Sequence, residues 1–189
     1  MGQYLNLNAC TVGEVPSFNS CPQGSAQGVA NWGYISKSQL TGCTINASGL
    51  CSTLTFTSGK TFFTMNPEPE TVQVKINNQT NKYKNTTVTA TLTGTIGGWD
   101  DTLRDMFTVM QKNNGHIWFQ LLSGEYILMG VDNTTTPAAS MGAKLTKQEW
   151  DSGIDSESEY SGVAFEFTAK SSTKLPRILS SIMTTAVTN

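Results

Sequence analysis

His116 is the only histidine of the chain, so a nucleophilic or hydrolytic centre would have to be built around it. A Ser-His-Asp or Cys-His arrangement needs an imidazole that passes a proton between nucleophile and leaving group. His116 opens the apolar run HIWFQLL directly after a helix exit, where an ordinary strand-end side chain is expected. It has no H-x-H or H-E-x-x-H companion that would make half of a metal site. Cys10, Cys21, Cys43 and Cys51 are spaced C-x10-C-x21-C-x7-C, whereas zinc sites use closely spaced cysteine pairs. Two disulfides are possible on count alone, but free thiols are the expectation. The acidic set Glu149, Asp151, Asp155, Glu157 and Glu159 lacks the alternating acidic pattern, central glycine and terminal Glu of a calcium loop. Gly94, Gly97 and Gly98 precede a predicted helix, yet neither G-x-G-x-x-G nor a P-loop is present. The expectation is a chain that is not an enzyme, with no catalytic residue, no cofactor site and no metal site.

The composition supports a different kind of role. Charged residues make up 14% of the 189, against about 25% in an average domain. Thr, Ser, Asn and Gly fill the gap. Hydrophobic residues reach 38% and the net charge is only −2, so a folded chain is expected rather than a disordered one. A surface poor in Lys and Glu lacks a common defence against edge-to-edge association. The Lys and Arg residues are scattered, and their tightest group is Lys170, Lys174 and Arg177. A phosphate-binding stripe needs more. The opening MGQYLNLNAC has neither a basic n-region nor an apolar h-region. Gly2 does not complete a myristoylation motif, because position six is Asn6. Synthesis in a cytoplasm without membrane attachment is therefore expected. The sequons at Asn46, Asn78, Asn85 and Asn133 occur at chance frequency and carry no compartment signal.

The elements that would position any site are mostly strands. Residues 1–50 read as an irregular N-terminal arm or loops, with short strands plausible at 31–36 and 42–46, and 51–189 as a β-rich body, all in one domain. Leu54 and Phe56 alternate with threonines before Ser58-Gly59, which predicts a hairpin into TFFTM. Val72, Val74 and Ile76, then Val88, Ala90, Leu92 and Gly94, alternate at period two, so 71–96 reads as one long projecting hairpin. Leu103, Met106, Phe107 and Met110 stand at i, i+3, i+4 and i+7, which predicts a helix over about 100–112. Asp100 or Asp101 would cap its start, and Asn113-Asn114-Gly115 would give a left-handed exit. HIWFQLL and EYILMGV, joined by Ser123-Gly124, form a hairpin apolar on both faces and so central or covered. Val163, Phe165 and Phe167 mark a further strand, and the tail LPRILSSIMTTAV reads as a short helix or a last strand, with Pro176 favouring the helix. The predicted fold is mainly β: an antiparallel β-sandwich or half-barrel with one flanking α-helix and a long projecting hairpin.

GHIWFQLLSGEYILMGV, followed by SGVAFEFTAKSSTKLP and preceded by GKTFFTMNPEPETVQVKINNQTNKYKNTTVTATLTG, resembles tail tube and other structural tail proteins of phages infecting Bacteroidetes-type hosts. The likeness is one of layout over about residues 55–180. It implies a virion protein of the tail whose subunits close into rings, hexameric in that family, by joining sheets into a continuous barrel. Stacked rings would form a conduit for DNA ejection, with DNA in the lumen only transiently. The expected partners are other copies of the chain, together with sheath, tape measure or terminator proteins of the tail. A slightly negative chain would repel the DNA backbone and let it slide. Two alternatives stay open: another phage structural role (capsid decoration, connector or collar), or a secreted β-sandwich adhesin or pilin-like module.

Overall fold

The structure, a computed structural model, describes residues 28–65, 71–80, 82, 86–97, 101–132, 138–151, 162–172 and 174–188. The chain runs β1 (Val29–Ser36), β2 (Leu40–Ile45), β3 (Leu50–Phe56), β4 (Phe62–Met65), β5 (Gln73–Thr80), β6 (Thr86–Gly97) and α1 (Asp101–Lys112). It continues through β7 (Gly115–Leu121), β8 (Tyr126–Met129), β9 (Val131–Asp132), β10 (Ala139–Ser140), β11 (Lys144–Asp151) and β12 (Gly162–Ser171). β13 (Arg177–Ile178), α2 (Ser180–Ala186) and β14 (Val187–Thr188) complete it.

Two sheets carry the fold. The larger has the order β14-β4-β1-β7-β8-β13-β3-β2, and the smaller has the order β11-β12-β6-β5. All pairs of the smaller sheet are antiparallel. The sheets pack face to face through one core. Trp32, Tyr34, Ile117 and Phe119 come from the larger sheet, and Ala90, Leu92, Val163, Phe165 and Phe167 from the smaller. Trp32 lies 4.8 Å from Phe165 and 5.7 Å from Phe167, measured between ring centroids. The period-two alternation read at 88–94 and 163–167 is this inner face. β7 and β8 sit in the middle of the larger sheet, as their two apolar faces require.

The other face of the larger sheet also holds a core: Ile35, Cys43, Cys51, Phe62, Trp118, Leu128 and Ile178. This second core exists because the sheet rolls up. β3 and β4 lie near opposite ends of the strand order, yet Phe56 and Phe62 meet edge to face at 5.5 Å. Met183 and Ala186 of α2 close the roll. The result is a half-barrel backed by a flat sheet.

Several expectations change. The body takes in the short strands expected at 31–36 and 42–46: β1 is an inner strand paired with β4 and β7, and β2 pairs with β3. Its one-residue alternation had been obscured because β1 is buried on both faces. Ser58-Gly59 turns the chain, with Gly59 at φ 70°, but makes no hairpin: β3 pairs with β2 and β13, and β4 with β1 and β14. The hairpin turn lies earlier, where Asn46 Oδ1 accepts from Ser48 N at 3.0 Å and Leu50 N at 2.9 Å. The tail forms the expected short helix, α2, between the short strands β13 and β14. Pro176 stands before β13 and not at a helix start. Asp100, Cys10, Cys21 and residues 152–161 lie outside the described residues.

α1 covers one end of the sandwich. Phe107 is fully buried and Met110 nearly so, with Leu103 and Met106 packed on the same core. Phe107 meets Trp150 edge to face and Phe165 at a tilt, both at 6.0 Å. Asp101 lies in the first helical turn and pairs with Arg104 at 3.2 Å. Gly115, expected as the left-handed exit, instead starts β7 without a positive φ.

Candidate assembly surface

His116, Cys43 and Cys51 are all buried. His116 is fully buried at the start of β7, with Nε2 2.9 Å from Ser140 Oγ. Its Nδ1 has no hydrogen bond of good geometry among the described residues, so the pair lacks the carboxylate that orients a triad imidazole. Burial, aided by the Lys37 charge and opposed by the Gly130 backbone, lowers the His116 pKa to about 4. Such an imidazole stays neutral near pH 7 and is a weak base. Ser140 lines an open cleft of about 570 Å³ with Ser36, Lys37, Lys112 and Asn114.

The buried carboxylate Asp132 was not singled out from the sequence. It accepts from Ser172 N at 3.1 Å and Ser172 Oγ at 2.7 Å, and so ties β9 to the end of β12. A period-two reading cannot mark a carboxylate whose partner is 40 residues away. Cys43 and Cys51 are buried free thiols. Glu149 sits on β11 and pairs with Lys147 at 2.9 Å; Asp155, Glu157 and Glu159 lie outside the described residues. Gly94 is opposite Phe165 in mid-sheet and Gly97 ends β6, while Gly98 lies outside the described residues. Among the described residues no group of three or more His, Cys, Asp or Glu could hold a metal ion. No helix among them is long and apolar enough to cross a membrane.

What the sequence builds with regularity is the outer face of the four-stranded sheet. In a strand, alternate side chains share a face, so the buried set Val88, Ala90, Leu92 and Ile96 forces Thr87, Thr89, Thr91, Thr93 and Thr95 outward. The cross-strand register extends this into polar rungs. Gln73, Thr93, Glu166 and Lys147 form one, and Lys75, Thr91, Thr168 and Lys144 the next. Thr146 Oγ1 donates to Glu166 Oε1 at 2.7 Å. Lys75, Lys144, Lys147 and Lys170 stand here against Glu149 and Glu166. The face is therefore mixed in charge with lysines in excess, opposite in sign to the chain's net −2.

Among the described residues β5 and β11 end the sheet, each with one hydrogen-bonded neighbour. Because four strands alternate in direction, β5 and β11 run oppositely. The β5 edge of one copy and the β11 edge of another copy in the same orientation would therefore meet as an antiparallel pair. Beyond Val88, which pairs with Ser171, β5 and β6 continue as a two-stranded ribbon through Thr80 and Thr86.

No family model matches the chain, and no curated protein or solved structure matches it.

Proposed function

We propose that this chain is a structural subunit of a phage tail, a tail tube protein whose rings, hexameric by family resemblance, stack into a conduit for DNA. The observation that supports it best is the four-stranded sheet, whose two oppositely directed edge strands have no outer neighbour among the described residues. Head-to-tail contact of unlike patches closes a ring when the rotation fits. Joining β5 to β11 would satisfy the backbone donors and acceptors that an edge strand otherwise leaves open. The second sheet and α1 pack on one face only, and bulk is best accommodated on the convex side of a closed barrel. The threonine-rich face would then line the lumen. Its lysines are interleaved with Glu149, Glu166 and hydroxyls, so no basic stripe forms to hold a phosphate backbone.

Proline scanning of β5 tests this. Consecutive strand residues point their N–H groups to opposite sides, so one of Lys75→Pro and Ile76→Pro removes a donor on the open edge. Proline there is tolerated in an isolated sheet. That variant should keep the parent melting temperature and lose assembly. Two folded variants that both assemble like the parent would overturn the edge-joining reading.

A second reading, the secreted adhesin or pilin-like module, has one observation in its favour. The Cys43 and Cys51 sulfurs lie 3.3 Å apart, close enough to suit an oxidising compartment. A chain that stays monomeric at high concentration, with that pair oxidised as purified, would support it. A copy found on a capsid face or in a single collar ring would support the other phage roles.

A further inference from the structure

We propose that Cys43 and Cys51 form a redox modification site, closing to an intrachain disulfide that staples the β2–β3 hairpin. Their Sγ atoms are 3.3 Å apart, and both side chains are buried in the core of the rolled sheet. A disulfide needs about 2.05 Å between sulfurs, so closure asks for about 1.2 Å of approach. The backbone is prepared for it. β2 and β3 are paired from Leu40↔Phe56 to Ile45↔Cys51, with a register shift between Thr44 and Ile45. Cys43 is paired directly with Leu54, and the shift brings Cys51 onto the same side as Cys43, so the two cysteines meet diagonally.

The two sulfurs are not equivalent. The hydrogen bond from Cys43 lowers the Cys51 pKa against the opposing effect of burial. The same bond, with burial, raises that of Cys43. In the proposed step Cys51 is the attacking thiolate. With a small disulfide such as oxidised glutathione, the Cys51 thiolate attacks one sulfur of the reagent. A Cys51–glutathione bond forms, the reagent S–S bond breaks, and one glutathione thiolate leaves and takes up the proton lost by Cys51. The Cys43 thiolate then attacks Cys51 Sγ, forming Cys43–Cys51 and releasing the second glutathione, which takes up the Cys43 proton. The two cysteine sulfurs lose two electrons in total, and the reagent gains them. Because both thiols are buried, the reaction proceeds through opening of the β2–β3 hairpin, whose outer strand β2 ends the sheet. A reducing cytoplasm holds the pair open, and release into an oxidising medium closes it.

Incubating the folded chain with oxidised glutathione, alkylating without reductant and digesting with trypsin reads the outcome on peptide 38–60. That peptide carries Cys43 and Cys51 and no other cysteine. The proposal expects it to be lighter by two hydrogen atoms, without alkyl or glutathione groups, and the oxidised chain to melt about 5 °C higher than the reduced one. Cys43→Ser should instead trap a stable glutathione adduct on Cys51. A stable adduct in the unsubstituted chain, reaction only in urea, or a lower melting temperature on oxidation would each overturn it.

Discussion

The ring of Tyr34 occupies the space where Gly115 would carry a side chain. A Cβ on Gly115 would lie 2.1 Å from Tyr34 Cε2, and the Tyr34 hydroxyl donates to the Asn113 carbonyl at 2.9 Å. This contact fixes the exit of α1 against β1. Gly115→Ala should destabilise the fold by about 1–3 kcal/mol through overpacking. Thermal melting checks it, and an unchanged midpoint would show that the ring can move aside.

Phe107 bridges α1 to both Trp150 and Phe165. Phe107→Ala should cost about 3–5 kcal/mol, as for other fully buried aromatic truncations. Urea denaturation measures this, and a loss under about 1 kcal/mol would mean that the helix is dispensable to the core.

His116 gives stability a pH dependence of its own. Its pKa is about 4 in the folded chain against 6.5 for a free imidazole. The group is neutral in both states above 6.5. Between 6.5 and 4 only the unfolded chain takes up the proton, so stability falls as pH falls. Below 4 both states are protonated and the loss levels off, at about 3 kcal/mol. As the only histidine, His116 should account for most of the change from pH 6.5 to 5.5. Denaturation of His116→Gln across that range should be nearly flat; a slope equal to the parent's would refute the assignment.

The β5–β6 ribbon carries exposed Lys82 at its tip. Trypsin should cleave after Lys82 readily in the isolated subunit and slowly in assembled material, where a neighbour covers the ribbon. Equal rates in the two forms would argue against a stacking role for it.

The sequence exposed some of this fold and hid the rest for physical reasons. The flat sheet was legible because one face is solvated: Val163, Phe165 and Phe167 alternate with polar residues at the period of a strand. α1 was legible because its stripe repeats at 3.6 residues. The rolled sheet was not, because Ile35 and Trp118 face one core while Tyr34 and Phe119 face the other, which removes the alternation. Ser58-Gly59 has hairpin chemistry, but long-range pairing of β4 with β1 decides its use. Asp132 and His116 are buried by partners far along the chain, which local spacing does not encode.

The central claim is that copies of this chain join edge to edge into closed rings that stack. Cryo-electron microscopy of the assembled particle tests it most directly. The account predicts a tube of stacked rings in which β5 of one subunit pairs antiparallel with β11 of the next, each contact burying above roughly 2,000 Å² in total. A particle in which β5 and β11 remain unpaired, or a chain that stays monomeric in native particles and in concentrated solution, would contradict it.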